Sequence, residues 1–267
     1  QRQMCIRDRC TGCGVCVKVC SMACIVMEEE KAVFKGEKRC MTCAHCMAVC
    51  PQKAVCTDRY DNSESVEMTP DTPLASPEEM KNRMVLRRSI RAYRQKIPSR
   101  QEIEAILDGA RYAGTGGNRQ ALRYIAVCGH MDEVTGEAAR VLGGLAEKPG
   151  FYAPAYGRIY KESLKGNDIL FYGAPLLILV IGNKKKGFNV KKDGGLASAY
   201  IQLMAETMGI GSCINGFFGD AVDNSSKLKE MLGITEDESM VMAIAMGYPL
   251  ISYMRSAPRK KLDLTWM

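Results

Sequence analysis

Apolar positions along the chain change their period several times, and each change marks an element. Leu122 to Cys128 and Leu176 to Ile181 read as strands, the second an unbroken apolar run suited to a sheet interior. Ser239 to Met246 reads as a third buried strand, ended by Gly247-Tyr248-Pro249. Asp193 to Gly209 predicts a helix, because Leu196, Ala199, Tyr200, Leu203, Met204 and Met208 fall on closely related faces and Gly209 offers a C-terminal stop. Two further helix starts are written in polar residues. Ser76-Pro77-Glu78-Glu79 combines an N-cap serine, proline at the first helical position and a capping box. Ser99-Arg100-Gln101-Glu102 repeats the box ahead of the stripe Ile103, Ile106, Leu107, Ala110. Helices and strands alternate without a regular β-α-β rhythm, which predicts an α+β fold rather than a doubly wound sheet.

Upstream of the first capped helix the pattern is lost. Acidic and hydroxylic residues, with Pro70, Pro73 and Pro77, replace large hydrophobes, as in a linker. The expected division is a domain over residues 1–58, a linker over 59–77 and a second domain over 78–267. A chain of 267 residues is comfortable for two domains. The first is too short for a large core, whereas the second can bury a proper one. Most of the seventeen methionines are expected as core filler.

What replaces a core in the first domain is its cysteine pattern. Cys10, Cys13, Cys16 and Cys20 read C-x2-C-x2-C-x3-C, and Cys40, Cys43, Cys46 and Cys50 repeat the spacing, with Pro51 directly after. This is the bacterial iron–sulfur run, in which the fourth cysteine of each copy ligates the other cluster. The expected sets are Cys10, Cys13, Cys16 with Cys50, and Cys40, Cys43, Cys46 with Cys20, holding two [4Fe–4S] clusters. A zinc ribbon would use two C-x2-C pairs per metal, and a disulfide framework would need an oxidising compartment. Cys24, Cys56, Cys128 and Cys213 are expected to be buried thiols. Cys5 lies in a stretch, Gln1 to Arg9, that starts without Met, and no role is assigned to it. With no leader pattern and no apolar run long enough for a membrane span, reduced thiolates point to the cytoplasm and to no membrane partner.

Composition changes this picture little. Hydrophobic residues at 46 % and charged residues at 25 % are ordinary for a soluble globular protein. The formal charge of +7 counts the ligating cysteines as neutral; thiolates around two clusters would leave about +3. Basic residues are scattered apart from Arg83 to Arg94, Lys184 to Lys192 and Arg255 to Lys261, and Lys184-Lys185-Lys186 fits a solvated face. Nucleic-acid binding is not supported.

A second chemical site is written after the first capped helix. Arg87-Arg88-Ser89-Ile90-Arg91 offers guanidinium forks and a hydroxyl, either an anion cradle or an exposed basic helix end. Ala113-Gly114-Thr115-Gly116-Gly117-Asn118-Arg119-Gln120 has glycines that admit close backbone approach, with Asn118 and Gln120 able to read a ring edge. It lacks the G-x-G-x-x-G order of a dinucleotide fingerprint.

Taken in order, R-R-S-I-R, G-G-N-R-Q, Phe171-Tyr172-Gly173-Ala174-Pro175, Met208-Gly209-Ile210-Gly211-Ser212-Cys213 and Gly247-Tyr248-Pro249 resemble the FMN-dependent nitroreductase family from about Glu79 onward. The double cysteine run resembles clostridial-type ferredoxins. The resemblance implies a small two-cluster ferredoxin-like domain followed by an α+β FMN domain, with a mixed central sheet flanked by helices, in a homodimer binding FMN at the subunit interface. It places the FMN phosphate on Arg87, Arg88, Ser89 and Arg91. The C-terminal basic contact falls on Arg259 and Lys261, with Arg255 and Lys260 competing for that register. Asn118 and Gln120 match the flavin-side loop; Ile214 would face the isoalloxazine and the Gly216 backbone its N5. The chain departs from many relatives at Ala121-Leu122-Arg123, where proline and tryptophan usually follow. The aromatic stretch Phe151 to Tyr160 matches either the family's substrate wall or dimer packing.

Both motif sets on one chain imply an oxidoreductase. Reduced ferredoxin or a similar donor would feed the clusters, electrons would pass to FMN, and a small acceptor such as a nitroaromatic or quinone would be reduced. The alternatives are reductive dehalogenation, enoate-type reduction or flavin fragmentation on the same fold, or a non-enzymatic carrier or redox sensor. No acid–base catalytic residue is expected: the two histidines are His45, inside a cysteine loop, and His130.

Overall fold

A computed structural model describes residues 4–6, 8–36 and 39–267. The chain separates into two compact units, Gln1–Leu74 with Gly117–Arg119, and Ala75–Gly116 with Gln120–Met267.

The N-terminal unit is built from two copies of one idea. β1 (Met4–Ile6) is followed by α1 (Val15–Val19), β2 (Ile25–Glu28) and β3 (Lys31–Phe34), then α2 (His45–Ala48) and β4 (Val55–Thr57). β1 pairs antiparallel with β4 and β2 with β3, so the first and last strands close the unit. Each short helix is entered through a left-handed residue, Gly14 at φ 70° and Ala44 at φ 61°. The core is small: Ile25, Ala32 and Val55 pack with Cys16 and Cys46. Cysteines are therefore part of the hydrophobic interior rather than ornaments on it. Of the four cysteines expected as buried thiols, Cys24 and Cys213 are buried and free. Cys56 is buried but disulfide-bonded. Cys128 is exposed, because β5 (Leu122–Val127) ends one residue before it.

The second unit begins with α3 (Pro77–Leu86) and α4 (Arg100–Ala110), both opened by complete reciprocal capping boxes, Ser76 with Glu79 and Ser99 with Glu102. After β5 come α5 (Met131–Ala146), α6 (Ala153–Ser163), β6 (Leu176–Asn183), α7 (Val190–Thr207), β7 (Gly211–Ile214), α8 (Gly216–Asp223), α9 (Ser226–Met231) and β8 (Glu238–Gly247). The sheet order is β5-β6-β8-β7, with every strand pair antiparallel. A single parallel bridge, Ser89 to Ser212, adds the arginine-rich segment to the β7 edge. The unbroken apolar run of β6 has its reason in helices on both faces. Leu177, Leu179 and Ile181 point into a core with Leu142, Ile159 and Phe218. Leu176, Ile178 and Val180 alternate into the other, with Ile106, Ile201 and Ala205. α7 starts three residues before the sequence expectation because Asn189 caps it, accepting from the Lys192 N–H at 3.2 Å. Gly209 at φ 69° ends it as expected. Among the described residues Met246 is buried and Met131, Met204, Met208, Met240 and Met242 pack partly buried against the two cores, as expected of core filler, whereas Met68, Met84, Met254 and Met267 are exposed.

Candidate functional site

The cysteine loops surround two cavities in the N-terminal unit. One, a cavity of about 20 Å³, is lined by Cys10, Cys13, Cys16 and Cys50. The other, also about 20 Å³, is lined by Cys40, Cys43, Cys46 and Cys20, with Cys24 beside them. Each cavity thus draws three cysteines from one run and the fourth from the other. Among the described residues, no three His, Cys, Asp or Glu side chains gather closely enough to hold one metal ion; the cysteines are spread around the cavities instead.

Backbone N–H groups point at several of these sulfurs. Thr42 N–H donates to Cys40 Sγ at 3.3 Å, Cys24 N–H to Cys20 at 3.2 Å and Ala54 N–H to Cys50 at 3.2 Å. The N–H groups of Ala32 and Gly12 pull the Cys10 thiol below its ordinary range. Burial pushes the Cys46 thiol up to about 11 and that of Cys24 to about 11. An ionised Cys46 sulfur therefore needs a positive centre in the cavity, and backbone donors are in place to share the charge. This donor set fits an iron–sulfur group.

The arginine run occupies the sheet edge of the second unit. Ile90 N–H donates to Ser212 O at 3.0 Å, Arg94 N–H to Tyr248 O at 2.9 Å and Leu250 N–H to Ala92 O at 2.9 Å. Buried Tyr93 locks the run to β8, its hydroxyl donating to Ile90 O at 2.7 Å and reaching Ala245 O at 3.2 Å. Burial raises that phenol far above its usual range. Gly211 is required here, since a Cβ would sit 2.5 Å from Ile90 Cγ1. Arg88 and Arg91 lie over the rings of Tyr253 and Tyr172, at 5.9 and 5.8 Å. Arg87 is half-buried, and its Nη1 is fully enclosed with no hydrogen-bond partner. A buried guanidinium nitrogen left without an acceptor can take an anion's oxygen.

Two residues beyond Ser212, β7 ends at exposed Ile214. Asn215 turns the chain into α8, its side chain accepting from Phe218 N–H at 3.0 Å while its amide donates to Leu170 O. At Gly216 a Cβ would meet no atom within 4 Å, so the backbone there faces open space. Tyr152 and Tyr156 stand beside this helix, each 5.7 Å from the Phe217 ring. Tyr156 donates to Asp220 at 2.8 Å, and burial first, then that carboxylate, pushes its phenol up to about 12. The arginine run, Ile214 and Gly216 thus share one sheet edge, and with the unsatisfied Arg87 nitrogen they fit a phosphate-bearing flavin.

The remaining expected residues have contacts of their own. Gln120, at φ 48°, donates its backbone N–H to Thr115 Oγ1 at 3.1 Å. Asn118 belongs with the cysteine unit: its side-chain amide donates to Thr42 O at 2.9 Å, Met41 O at 3.3 Å and the Tyr60 hydroxyl at 3.0 Å. Arg259 and Lys261 lie on the exposed, irregular C-terminal stretch. Sequence reasoning missed Asp193. It is buried in the first turn of α7, accepts from Gly116 N–H at 3.0 Å and keeps its other oxygen unpartnered. The signal was a carboxylate on the same helical face as Ala197 and Ile201.

Comparison with known proteins agrees with both halves. Residues 85–248 match the nitroreductase family and residues 9–54 a 4Fe-4S dicluster domain. No curated protein matches the chain. Among solved structures, a nitroreductase with bound FMN from Desulfitobacterium hafniense DCB-2 is 24 % identical with a TM-score of 0.59, covering 70 % of this chain and 97 % of its own. One with bound FMN from Bacteroides fragilis NCTC 9343 is 23 % identical at 0.60, covering 71 % and 98 %. An iodotyrosine deiodinase bound to FMN and 3-iodo-L-tyrosine is 19 % identical at 0.53, covering 70 % and 98 %. A family match across most of the chain, on an α+β sheet edge carrying the expected arginine run, means that this protein belongs to the nitroreductase family and is a flavin-dependent oxidoreductase with a 4Fe-4S dicluster domain at its N-terminal end.

Proposed function

We propose that this oxidoreductase takes single electrons from reduced ferredoxin or a similar low-potential carrier and reduces a small acceptor such as a nitroaromatic or quinone, with two [4Fe–4S] clusters and FMN as resident groups. Bound clusters supply one-electron transfer, and bound flavin supplies storage of two electrons and their delivery to the acceptor. The observation that carries the reading is the coexistence on one chain of two four-cysteine cavities and an arginine edge with an unsatisfied, buried Nη1.

The chain's own residues supply binding and orientation. Cys10, Cys13, Cys16 and Cys50 hold one cluster, and Cys40, Cys43, Cys46 and Cys20 the other. Arg87, Arg88, Ser89 and Arg91 receive the flavin phosphate, with Arg259 and Lys261 as the C-terminal contribution. Ile214 would pack against the ring and the Gly216 N–H would face its reactive edge, at a position where an added Cβ would meet no atom within 4 Å. Asn118 and Gln120 belong to the loop expected on the flavin side. The domain division stays 1–58, 59–77 and 78–267. A homodimer completes the flavin site, and the cytoplasm suits the thiolates. Among the described residues no helix is long and apolar enough to cross a membrane.

Anaerobic purification with iron, sulfide and flavin measured on one sample tests the cofactors: about eight iron and one FMN per chain are expected, and zinc without iron removes the cluster half. Stopped-flow mixing with reduced ferredoxin tests the route, since bleached cluster bands beside permanently oxidised flavin would end it. Reductive dehalogenation is the second reading, favoured by the shared fold of the iodotyrosine deiodinase. Anaerobic turnover on nitroaromatics, quinones and halophenols separates the two.

A further inference from the structure

One peptide group in the second cysteine loop is held from both ends. The carbonyl of Met41 accepts from Asn118 Nδ2 at 3.3 Å, and the N–H of the same peptide, on Thr42, donates to Cys40 Sγ at 3.3 Å. The next carbonyl, of Thr42, accepts from the same Nδ2 at 2.9 Å. Thr42 carries a side chain at φ 48°, where the matching position of the first loop has Gly12 at φ 71°. A left-handed threonine persists only where its surroundings hold it. The holders are Asn118, the Arg59 guanidinium on Thr42 Oγ1, and Thr42 Oγ1 itself, which donates to Met41 O at 2.7 Å.

We propose that Asn118 is a positioning residue for the iron–sulfur centre of Cys40, Cys43, Cys46 and Cys20, and raises that centre's reduction potential through the Met41–Thr42 peptide. The inference rests on the cluster assignment above. A donor on a peptide carbonyl draws electron density toward oxygen and makes the N–H at the other end a stronger donor. That N–H meets the Cys40 sulfur, and hydrogen bonds to ligating sulfurs favour the more negatively charged, reduced state. Asn118 comes from Gly117–Arg119, a segment remote in sequence that packs with the cysteine unit. Asparagine suits the place because its own backbone is left-handed at φ 53°.

The test is a redox titration of the full-length protein with dithionite, read by electron paramagnetic resonance, with iron measured on every sample. Asn118→Gly tolerates the backbone and removes the donor; Asn118→Asp keeps the size and replaces the donor with an oxygen. In both, iron is expected to stay at the wild-type level. One of the two cluster waves moves to more negative potential, by up to about fivefold in its reduction equilibrium, the limit set by losing one whole net hydrogen bond to sulfur, and the other stays. Iron lost from the Cys40 centre alone also supports the role. Two unmoved waves, two waves moving together, or iron lost from both centres in both variants overturns it. A wild-type chain without iron overturns the cluster assignment and this inference with it; full iron with unmoved waves overturns the inference alone.

Discussion

Replacing Arg87 with methionine separates binding from stability, because the first is lost through the phosphate and the second changes with pH through Glu206. The Nη1 of Arg87 is enclosed without an acceptor, a state that costs about 1–3 kcal/mol for a buried donor. A phosphate oxygen there returns about 1.5–3 kcal/mol as a charge-assisted bond. At 1.4 kcal/mol per decade, Arg87→Met weakens FMN binding by about tenfold to about a hundredfold. The apo chain gains nothing from the guanidinium except at Glu206. That carboxyl also has a buried oxygen without a partner, and burial raises its pKa against the opposing pull of Arg87 and then Arg83. A carboxyl with a raised folded-state pKa destabilises the fold where it is ionised and ceases to do so where it is protonated. At neutral pH Arg87→Met apo protein loses the compensation of Glu206 and is relieved of the enclosed nitrogen, so its stability relative to wild type rises as pH falls through the Glu206 titration. Arg87→Met/Glu206→Gln melts at or above wild type at both. Flavin fluorescence quenching on titration of apo protein gives Kd, and thermal melts at two pH values give stability. An FMN affinity within twofold of wild type refutes the argument that the enclosed nitrogen is the phosphate's place.

Further outcomes follow from other parts of the structure. Cys50→Ala should remove iron from the cavity of Cys10, Cys13 and Cys16, and Cys20→Ala from the opposite one, each losing about half the iron in a colorimetric assay; loss confined to the mutated run's own cavity contradicts the crossed sets. Gly12→Ala places a Cβ 2.0 Å from Glu30 O at φ 71° and should abolish cluster retention. Ala44→Gly removes a side chain from φ 61° and should stabilise the reconstituted protein by up to about 1 kcal/mol, read as a higher melting temperature. Glu137 is held at about 2 by Arg140 first, against burial, with Lys227 adding to the pull. Its stabilisation is present above the ordinary carboxylate pKa and is lost as pH falls toward 2, so urea midpoints of wild type and Glu137→Gln should converge on acidification from pH 6.

Local chemistry was legible in this sequence, and remote contacts were not. Both capping boxes and the Gly209 stop depend on residues within one turn, and they stand where the pattern put them. The apolar run of β6 announced burial on two faces without naming what covers them. The apolar stripe that marks α7 begins only at Leu196 and so places its start too late, whereas Asn189 is the cap. Asp193 itself is buried to hold a loop far back in the chain. The glycine-rich neighbours of Asn118 predict a ring-edge group and give no sign that its amide meets carbonyls of a cysteine loop 76 and 77 residues away. Spacing says nothing about such pairs. The Arg123 pair with Glu238, at 2.7 Å across the sheet, escaped for the same reason.

The sandwiching of β6 between β5 and β8 has a bearing on synthesis. At translation rates of 5–20 residues per second, Leu176–Asn183 leaves the ribosome roughly 3–13 s before Glu238–Gly247 is complete. During that interval a wholly greasy segment has one hydrogen-bonding flank vacant, the condition under which nascent chains attract chaperones or each other. The cysteine loops emerge long before, so metal delivery to the early part of the polypeptide can precede flavin loading on the same molecule.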